Sequence, residues 1–266
     1  MGDVMANQVI GLTNDEYRNQ RGVSKSDLDY IHQSPALLEW ARNAPSVGSE
    51  EVDLGTHVHC ATLEPDVFAG TYRKAPAGGR TAADRSRVEA FAEHCKAGGK
   101  ICLDADAYDM VIAMRDSIMA HPTARDLLTG DGISESSVFG ELEGVRVKCR
   151  PDRLIRERNI LVDVKKVDDI RHIARSIQEF RYYVQAAFYS DIYEQWTGHK
   201  PRFIFVAVGQ RRSIGRHPVR VFELEQAWVD AGRVEYLDDL ERVREMEEFG
   251  AGMHVEVLEL PRWARS

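Results

Sequence analysis

The stretch CRPDRLIRERNILVDVKK, residues 149–166, decides the fold of this chain and the place of its chemistry. Two apolar runs flank the charged segment 156–159, which predicts a hairpin of two strands. Asp152 closes the first run, and Asp163 and Lys165 close the second. Residues i and i+2 of a strand share a face, so the two carboxylates and the ammonium are expected side by side at one sheet edge.

Two carboxylates beside a lysine suit a hard divalent cation held next to a phosphate. An exposed hairpin with ordinary salt bridges would carry the same residues. An Asp-x-Lys triplet occurs by chance roughly once in a chain of this length. The neighbouring segments therefore have to decide between the two interpretations.

Composition limits the class of protein. The chain has 266 residues, of which 43% are hydrophobic and 29% are charged, which is enough for one large α/β domain or for one domain with an appended helical piece. It has no apolar run of membrane-spanning length and no secretory leader at its start, so we expect a cytoplasmic protein without a membrane partner. The net charge of −8 argues against a globally basic nucleic-acid binder but leaves a local basic cleft open.

The periodicity predicts a succession of elements around the hairpin. Ser24 or Ser26 is expected to cap a first helix, and Ser34-Pro35 to begin a second. Segment 70–81 is rich in Gly and Pro and predicts a mobile loop or lid. Further helices are expected at 51–63, 82–97, 104–129, 170–196 and 226–248, strands at 134–142, 145–152, 160–165, 201–209 and 219–224, and a short strand or extended arm at 254–266. The Glu143-Gly144 turn predicts a hairpin, and the more continuously apolar run from Ile160 is expected to be a more central strand. Gly198 is expected to end the helix at 170–196.

Three smaller features carry possible chemistry. His59 follows Gly55 by one helical turn, and Tyr189 follows Gln185 by one turn, so each pair shares a helix face. Ser26 lies in a polar cluster at a helix start, where free N–H groups favour an anion. Each feature also has a purely structural explanation. Ser26 would belong to an ordinary helix cap, His59 would be a structural histidine, and Tyr189 would lie on a tyrosine-rich helix face that packs on the sheet.

Four motifs follow one another in order: Gly55-x-x-x-His59, Pro151-Asp152, Asp163-Val164-Lys165 and Gln185-x-x-x-Tyr189. In this order they resemble the RecB-like branch of the PD-(D/E)XK nuclease superfamily. Within that branch the chain is similar to the RecE (exonuclease VIII) type of phage and prophage exonuclease, a relative of phage lambda exonuclease. Further matching segments are VSKSDLDYIHQSPALLEW, LGTHVHCATLEPDVF, FRYYVQAAFY and LELPRWA.

This resemblance implies a single α/β exonuclease domain over 1–266 with a catalytic core at about 50–210. The core would be restriction-endonuclease-like, with a central mixed β-sheet flanked by helices and helical additions at both ends of the chain. It implies a Mg²⁺-dependent enzyme, with Mn²⁺ as a substitute, that degrades the 5′ strand of double-stranded DNA ends. The resulting 3′ overhang would serve recombination through a RecT-like single-strand annealing protein. It also implies a homo-oligomeric ring, trimer or tetramer, and no iron–sulfur cluster, because no cysteine follows Cys149.

The resemblance also assigns roles to residues. The metal ligands would be His59, Asp152, Asp163 and the carbonyl of Val164, with Lys165 as the catalytic lysine beside Asp152 and Asp163. The DNA contacts would be Ser26, Arg21 (or Arg18), Arg150, Gln185 and Tyr189. Two alternatives stay open: a single-strand exonuclease or structure-specific endonuclease of the same superfamily, and a non-catalytic DNA-end-binding subunit.

Overall fold

The computed structural model describes residues 7–9, 11–44 and 54–252. The arm expected at 254–266, the LELPRWA match and the expected helical residues 51–53 lie outside the described residues.

The described residues form ten strands and eleven α-helices. The strands are β1 (Asn7–Val9), β2 (Tyr72–Lys74), β3 (Ile101–Leu103), β4 (Ile133–Ser134), β5 (Ser137–Leu142), β6 (Val145–Cys149), β7 (Arg153–Ile155), β8 (Ile160–Val167), β9 (Arg202–Gly209) and β10 (Val219–Phe222). The helices are α1 (Asn14–Asn19), α2 (Lys25–Gln33), α3 (Pro35–Asn43), α4 (Leu54–Leu63), α5 (Pro65–Thr71), α6 (Ala82–Ala97), α7 (Ala105–Ala120), α8 (Pro122–Thr129), α9 (Ile173–Glu179), α10 (Tyr182–Thr197) and α11 (Gln226–Phe249).

A mixed five-stranded sheet in the order β10-β9-β8-β7-β4 forms the centre. β8 pairs in parallel with β9 and antiparallel with β7. Its apolar residues are buried on both faces, as expected of a strand covered by helices on each side. The prediction that the run from Ile160 is a more central strand is therefore confirmed, and β8 is the middle strand of this sheet.

Residues of β8 alternate between two cores. Leu161 packs with α2, α10 and α11 on one face, whereas Ile160 and Val162 pack with α4, α7 and α8 on the other. Asp163 and Lys165 share the alternation of Leu161 and therefore face α10. The two helix motifs of the sequence thus lie on opposite faces of the sheet.

The predicted hairpin around Glu143-Gly144 is confirmed as β5 and β6. Both turn residues have positive φ, 49° for Glu143 and 77° for Gly144, as a two-residue type I′ turn requires. β6 ends at Cys149, earlier than expected, and the chain crosses over residues 150–152 from the three-stranded sheet β1-β5-β6 to the central sheet. Pro151 has no N–H for a ladder bond, which is consistent with a break there.

Ser24 is the N-cap of α2, and its side chain and that of Asp27 form a capping box. Ser34 caps α3, and Pro35 takes the first helical position as expected. Within segment 70–81, residues Tyr72–Lys74 form β2, which pairs in parallel with β3. The prediction of a loop was wrong for these residues, because a three-residue strand leaves no detectable periodicity.

The helix predicted over 170–196 is interrupted. A 3₁₀ turn (Ile170–His172) leads into α9, and α10 begins only after Arg181, whose φ is 50°. This left-handed conformation costs energy for a non-glycine residue. The Arg181 guanidinium donates to Asp29 at 3.1 Å and to Asp239 at 2.5 Å, and these ion pairs hold it there. The predicted end of the helix at Gly198 is confirmed, with φ of 73°.

Among the described residues, no helix combines the length and the apolar character needed to cross a lipid bilayer.

Candidate metal centre

The candidate centre lies beside β8, at the point where β7 begins. Arg153, the first residue of β7, is opposite Val162 in this antiparallel pair, so Asp152, just before β7, lies beside Asp163 within β8. Asp152 is 9% exposed and Asp163 only 2% exposed. The arrangement predicted from 149–166, with both carboxylates and Lys165 at one sheet edge, is therefore present.

The side chain of Asp152 replaces a missing strand partner. The Val164 N–H donates to Oδ2 of Asp152 across 2.6 Å. The N–H and C=O of one strand residue point to the same side. The Val164 carbonyl is therefore directed toward the side of Asp152, as its predicted role requires.

His59 reaches the same edge from α4. Its Nε2 lies 2.9 Å from Oδ1 of Asp152 and 3.4 Å from Oε1 of Glu135. Ligand atoms of these three residues all lie within 4.8 Å of one another. The structure thus groups His59 and Asp152 with Glu135, a residue that the sequence analysis missed, and places Asp163 beside this group rather than within it.

Backbone geometry fixes Glu135. It follows β4 with φ of 53°, and its N–H donates to the Asp152 carbonyl at 3.2 Å. Arg150 donates to the Glu135 carbonyl at 3.0 Å. The register of β4 on β7 sets Ser134 opposite Arg153, which brings Glu135 to Asp152. Recognising this two-residue strand in the sequence would have revealed the residue.

Asp163 is held by two side chains of the predicted set. Nε2 of Gln185 donates to Oδ1 across 2.5 Å. The Lys165 ammonium lies 2.7 Å from Oδ2 and forms an ion pair with it. The same ammonium lies 4.9 Å from the centre of the Tyr182 ring. Asp163, Lys165 and Gln185 thus form one connected unit next to the His59 group.

The charges in this cluster are strongly interdependent. Burial raises the pKa of Glu135 to about 7, and the Asp152 carboxylate adds to the effect. Burial likewise raises the pKa of Asp163 to about 6, although Lys165 opposes it. Burial disfavours the charged imidazolium of His59, but Asp152 and Glu135 outweigh it and raise its pKa to about 9. Without a cation, the site therefore holds a proton on His59 at neutral pH.

A cleft of 1210 Å³ opens over the Asp163 side of the centre. Six Lys or Arg and six Asp or Glu residues line it, whereas the whole chain has 35 and 43, so the cleft is less acidic than the chain. It is not the uniformly acidic surface that would repel DNA. The predicted site residues among its lining are Ser26, Arg150, Asp152, Asp163, Lys165, Gln185 and Tyr189.

The residues predicted to contact DNA differ in their exposure and in whether they line the cleft. Ser26 is exposed in the first turn of α2. Tyr189 is only 8% exposed, with its ring edge on Phe203. Arg21 lines a separate depression of 450 Å³, and Arg18 is exposed outside both.

Arg150 is engaged within the protein. Besides the Glu135 carbonyl, its guanidinium donates to Asn14 at 2.9 Å and to the Leu12 carbonyl, and it lies over the Tyr17 ring. Its side chain is 7% exposed. These contacts give it a structural role at the edge of the site, and its predicted DNA contact stays a prediction.

The donor set fits a divalent cation. His59 offers an imidazole nitrogen, and Asp152 and Glu135 offer carboxylate oxygens. Such a mixed set suits Mg²⁺ or Mn²⁺, with the nitrogen favouring the latter. Three carboxyl groups crowd one buried edge, and two of them have a raised pKa. A bound cation would relieve that repulsion.

Comparisons with known proteins agree with this geometry. The family described as "PDDEXK-like domain of unknown function (DUF3799)" matches residues 36–251, more than half of the chain. No curated protein matches the chain.

A solved structure supports the same fold. A crystal structure of a candidate exonuclease from Eubacterium rectale is 15% identical, with a TM-score of 0.64 over 95% of this chain and 96% of that one. A phage-related exonuclease from Haemophilus somnus 129PT is 12% identical and covers 87% of this chain and 97% of that one, but its TM-score of 0.34 is too low to carry an argument. The central mixed sheet flanked by helices is the restriction-endonuclease-like fold, and the chain belongs to the PDDEXK-like domain family.

Proposed function

We propose that this protein is a Mg²⁺-dependent exonuclease that degrades the 5′ strand of double-stranded DNA ends and leaves 3′ overhangs. The observation that carries the nuclease assignment is that Asp152, Asp163 and Lys165 line one cleft, with His59 in contact with Asp152 behind it. The family match and the exonuclease description of the Eubacterium rectale neighbour support it. Polarity and duplex specificity rest on the RecE-type resemblance of the motifs.

The residues of the site divide the chemistry between them. His59, Asp152 and Glu135 would hold the cation with Asp163 and the Val164 carbonyl nearby; a bound cation supplies charge neutralisation at the phosphate and a water of lowered pKa. The ammonium of Lys165, aligned by Asp163, stabilises the charge that develops on the phosphate or orients the attacking water. The hydrogen bond from Gln185 holds the Asp163 carboxylate in position for both the cation and Lys165.

Ser26 suits recognition of a 5′-terminal phosphate, whereas Gln185, which the resemblance also assigns to DNA, is bonded to Asp163. Ser26 lies in the first turn of the nine-residue helix α2 and lines the cleft. Free N–H groups and the helix dipole at that end favour an anion. Arg21 does not line the cleft, so its assignment to this pocket has the least support.

The wider setting is also part of the proposal. A ring of three or four copies around DNA, a RecT-like annealing partner and a role in recombination in the bacterial or phage-infected cytoplasm all rest on the RecE-type resemblance. The balanced charge of the cleft is compatible with DNA entering it.

Digestion of linear, nicked and closed circular duplex with Mg²⁺ tests the function. We expect loss of the linear form only, and no loss with Asp163→Asn. Asp109→Asn, which removes an exposed carboxylate paired with Lys74, is the matched control and should digest like the wild type. Survival of linear DNA with the wild-type protein would contradict the proposal.

End-labelled substrates decide between the proposal and a single-strand or structure-specific nuclease. The proposal predicts faster release from a 5′-phosphate than from a 5′-hydroxyl, and from duplex than from single strands. Equal rates on both ends, or a preference for single strands or for internal junctions, would favour the alternative. Metal-independent DNA binding without cleavage would favour a non-catalytic end-binding subunit.

A further inference from the structure

Phe180 presents its ring to the cleft. It lines the cleft together with Asp163 and Lys165, and the residue is 54% exposed. Apolar side chains exposed singly are common on protein surfaces, so the exposure alone does not identify a function. Its neighbours distinguish it from such residues.

Phe180 is the first of four aromatic rings that run from the cleft through the interior. The rings belong to Phe180, Tyr182, Phe205 and Phe222, with successive centroids 5.7, 6.0 and 5.5 Å apart and interplanar angles of 23°, 30° and 21°. Phe205 is fully buried. The series provides a fixed stack to which one more flat ring can be added from the cleft.

The backbone of Phe180 is held on both sides. The Phe180 N–H donates to the Ser176 carbonyl at 3.0 Å, and the Phe180 carbonyl accepts from the Lys25 ammonium at 2.9 Å. The next residue, Arg181, is anchored through its guanidinium to Asp29 and Asp239. A ring held in this way loses little conformational freedom on binding.

The stack adjoins the proposed chemistry. The Lys165 ammonium lies 4.9 Å from the Tyr182 ring centre and 2.7 Å from Asp163. Phe180 is thus linked to Lys165 through the Tyr182 ring, whose centre lies 5.7 Å from that of Phe180. In DNA, a base is attached one sugar away from its phosphate, so a nucleotide provides both groups.

We propose that Phe180 stacks against a nucleobase of the DNA strand that enters the cleft and so contributes to the binding of that strand. Stacking tolerates any sequence, because every base has a π-face. The residue would thus detect that a base is present, without distinguishing which one. This inference rests on the proposed nuclease function.

Binding is measured with the full-length protein in Ca²⁺, using duplexes that carry 2-aminopurine at successive positions from the 5′ end. We expect Phe180→Ala to bind about tenfold more weakly, because base–aromatic stacking contributes on that order. The Phe180→Ala protein should no longer quench 2-aminopurine fluorescence. Phe180→Trp should restore both the DNA affinity and the quenching. Phe249→Ala, which removes a 74% exposed phenylalanine outside the cleft, is the matched control and should match the wild type.

A cycle with abasic DNA separates stacking from a structural role. Replacing the stacked base by an abasic site should weaken wild-type binding about as much as Phe180→Ala does, and the two changes together should cost no more than either alone. In Mg²⁺ turnover, Phe180→Ala should raise KM with little change in kcat.

Equal losses for Phe180→Ala on intact and abasic DNA would overturn the stacking role, as would wild-type binding by Phe180→Ala. If the wild-type protein cleaves DNA, either result refutes the stacking role of Phe180 and leaves the proposed nuclease function intact. A wild type that neither binds nor cleaves DNA refutes the proposed function and this inference together.

Discussion

Gln185 donates a hydrogen bond of 2.5 Å to the buried carboxylate of Asp163, and this contact joins α10 to the central strand β8. Gln185 is only 7% exposed, so its amide is fixed with the nitrogen toward the acid. The glutamine therefore positions an acid that would otherwise be buried with Lys165 as its main partner.

Gln185→Ala should lower kcat of DNA cleavage about 10- to 100-fold, because a hydrogen bond to a buried charge contributes about 1.5–3 kcal/mol. Gln185→Glu should be worse, since it sets a second carboxylate against Asp163. Gln195→Ala, on the same helix but bonded to the Glu141 backbone, is the control and should retain activity. Equal kinetics for the Gln185 and Gln195 variants would contradict a positioning role.

Glu135→Gln should weaken Mn²⁺ binding by at least about tenfold, because it removes a charged oxygen from the group shared with His59 and Asp152. Calorimetric titration of the metal-free protein measures this directly. Glu157→Gln, in the exposed turn between β7 and β8, is the control and should bind Mn²⁺ like the wild type. Unchanged affinity in Glu135→Gln would remove this residue from the metal site.

Metal binding should become tighter as the pH rises toward 9. A coordinating imidazole must be neutral, yet His59 of the metal-free protein has a pKa of about 9 and stays protonated below it. Glu135, with a pKa of about 7, adds a second proton to be displaced below neutrality. Each displaced proton makes the affinity rise about tenfold per pH unit.

Titrations of Mn²⁺ in buffers of different ionisation enthalpy count these protons. We expect about one proton released per ion at pH 8 and more than one at pH 6.5. An affinity that does not change with pH would mean that His59 is not a ligand.

Gly232→Ala should destabilise the fold by about 1–3 kcal/mol, because overpacking a helix contact costs that much. A Cβ on Gly232 of α11 would lie 2.7 Å from the Tyr183 carbonyl carbon and 2.9 Å from the Val184 nitrogen, both backbone atoms of α10. Thermal unfolding measures the effect. Gly70→Ala in α5, where a Cβ meets nothing within 4 Å, should leave Tm equal or higher.

The sequence predicted the central strand and the site around it because both follow strong local rules. Alternation places Asp163 and Lys165 on one face, and capping signals locate the starts of α2 and α3. Gly198 marks the end of α10 through its positive φ. These features depend on residues close in the chain, so a single sequence suffices to find them.

The missed features depend on distant partners. Glu135 gains its place only through the pairing of a two-residue strand with β7. The break between α9 and α10 depends on Arg181 reaching Asp29 on α2 and Asp239 on α11. Neither relationship leaves a periodic signal, because the stabilising atoms lie more than fifty residues away or in an element too short to show a pattern.

The start of β7 only after Asp152 determines which changes in chain length the protein can tolerate. Asp152 occupies the position of a strand partner for Val164, and the crossing at 150–152 fixes its distance from Cys149. An insertion or deletion there would separate the acid from β8, whereas the turn at Arg156–Arg158 lies at the other end of the hairpin. Homologous chains should therefore vary in length at that turn and keep a constant length between β6 and β7.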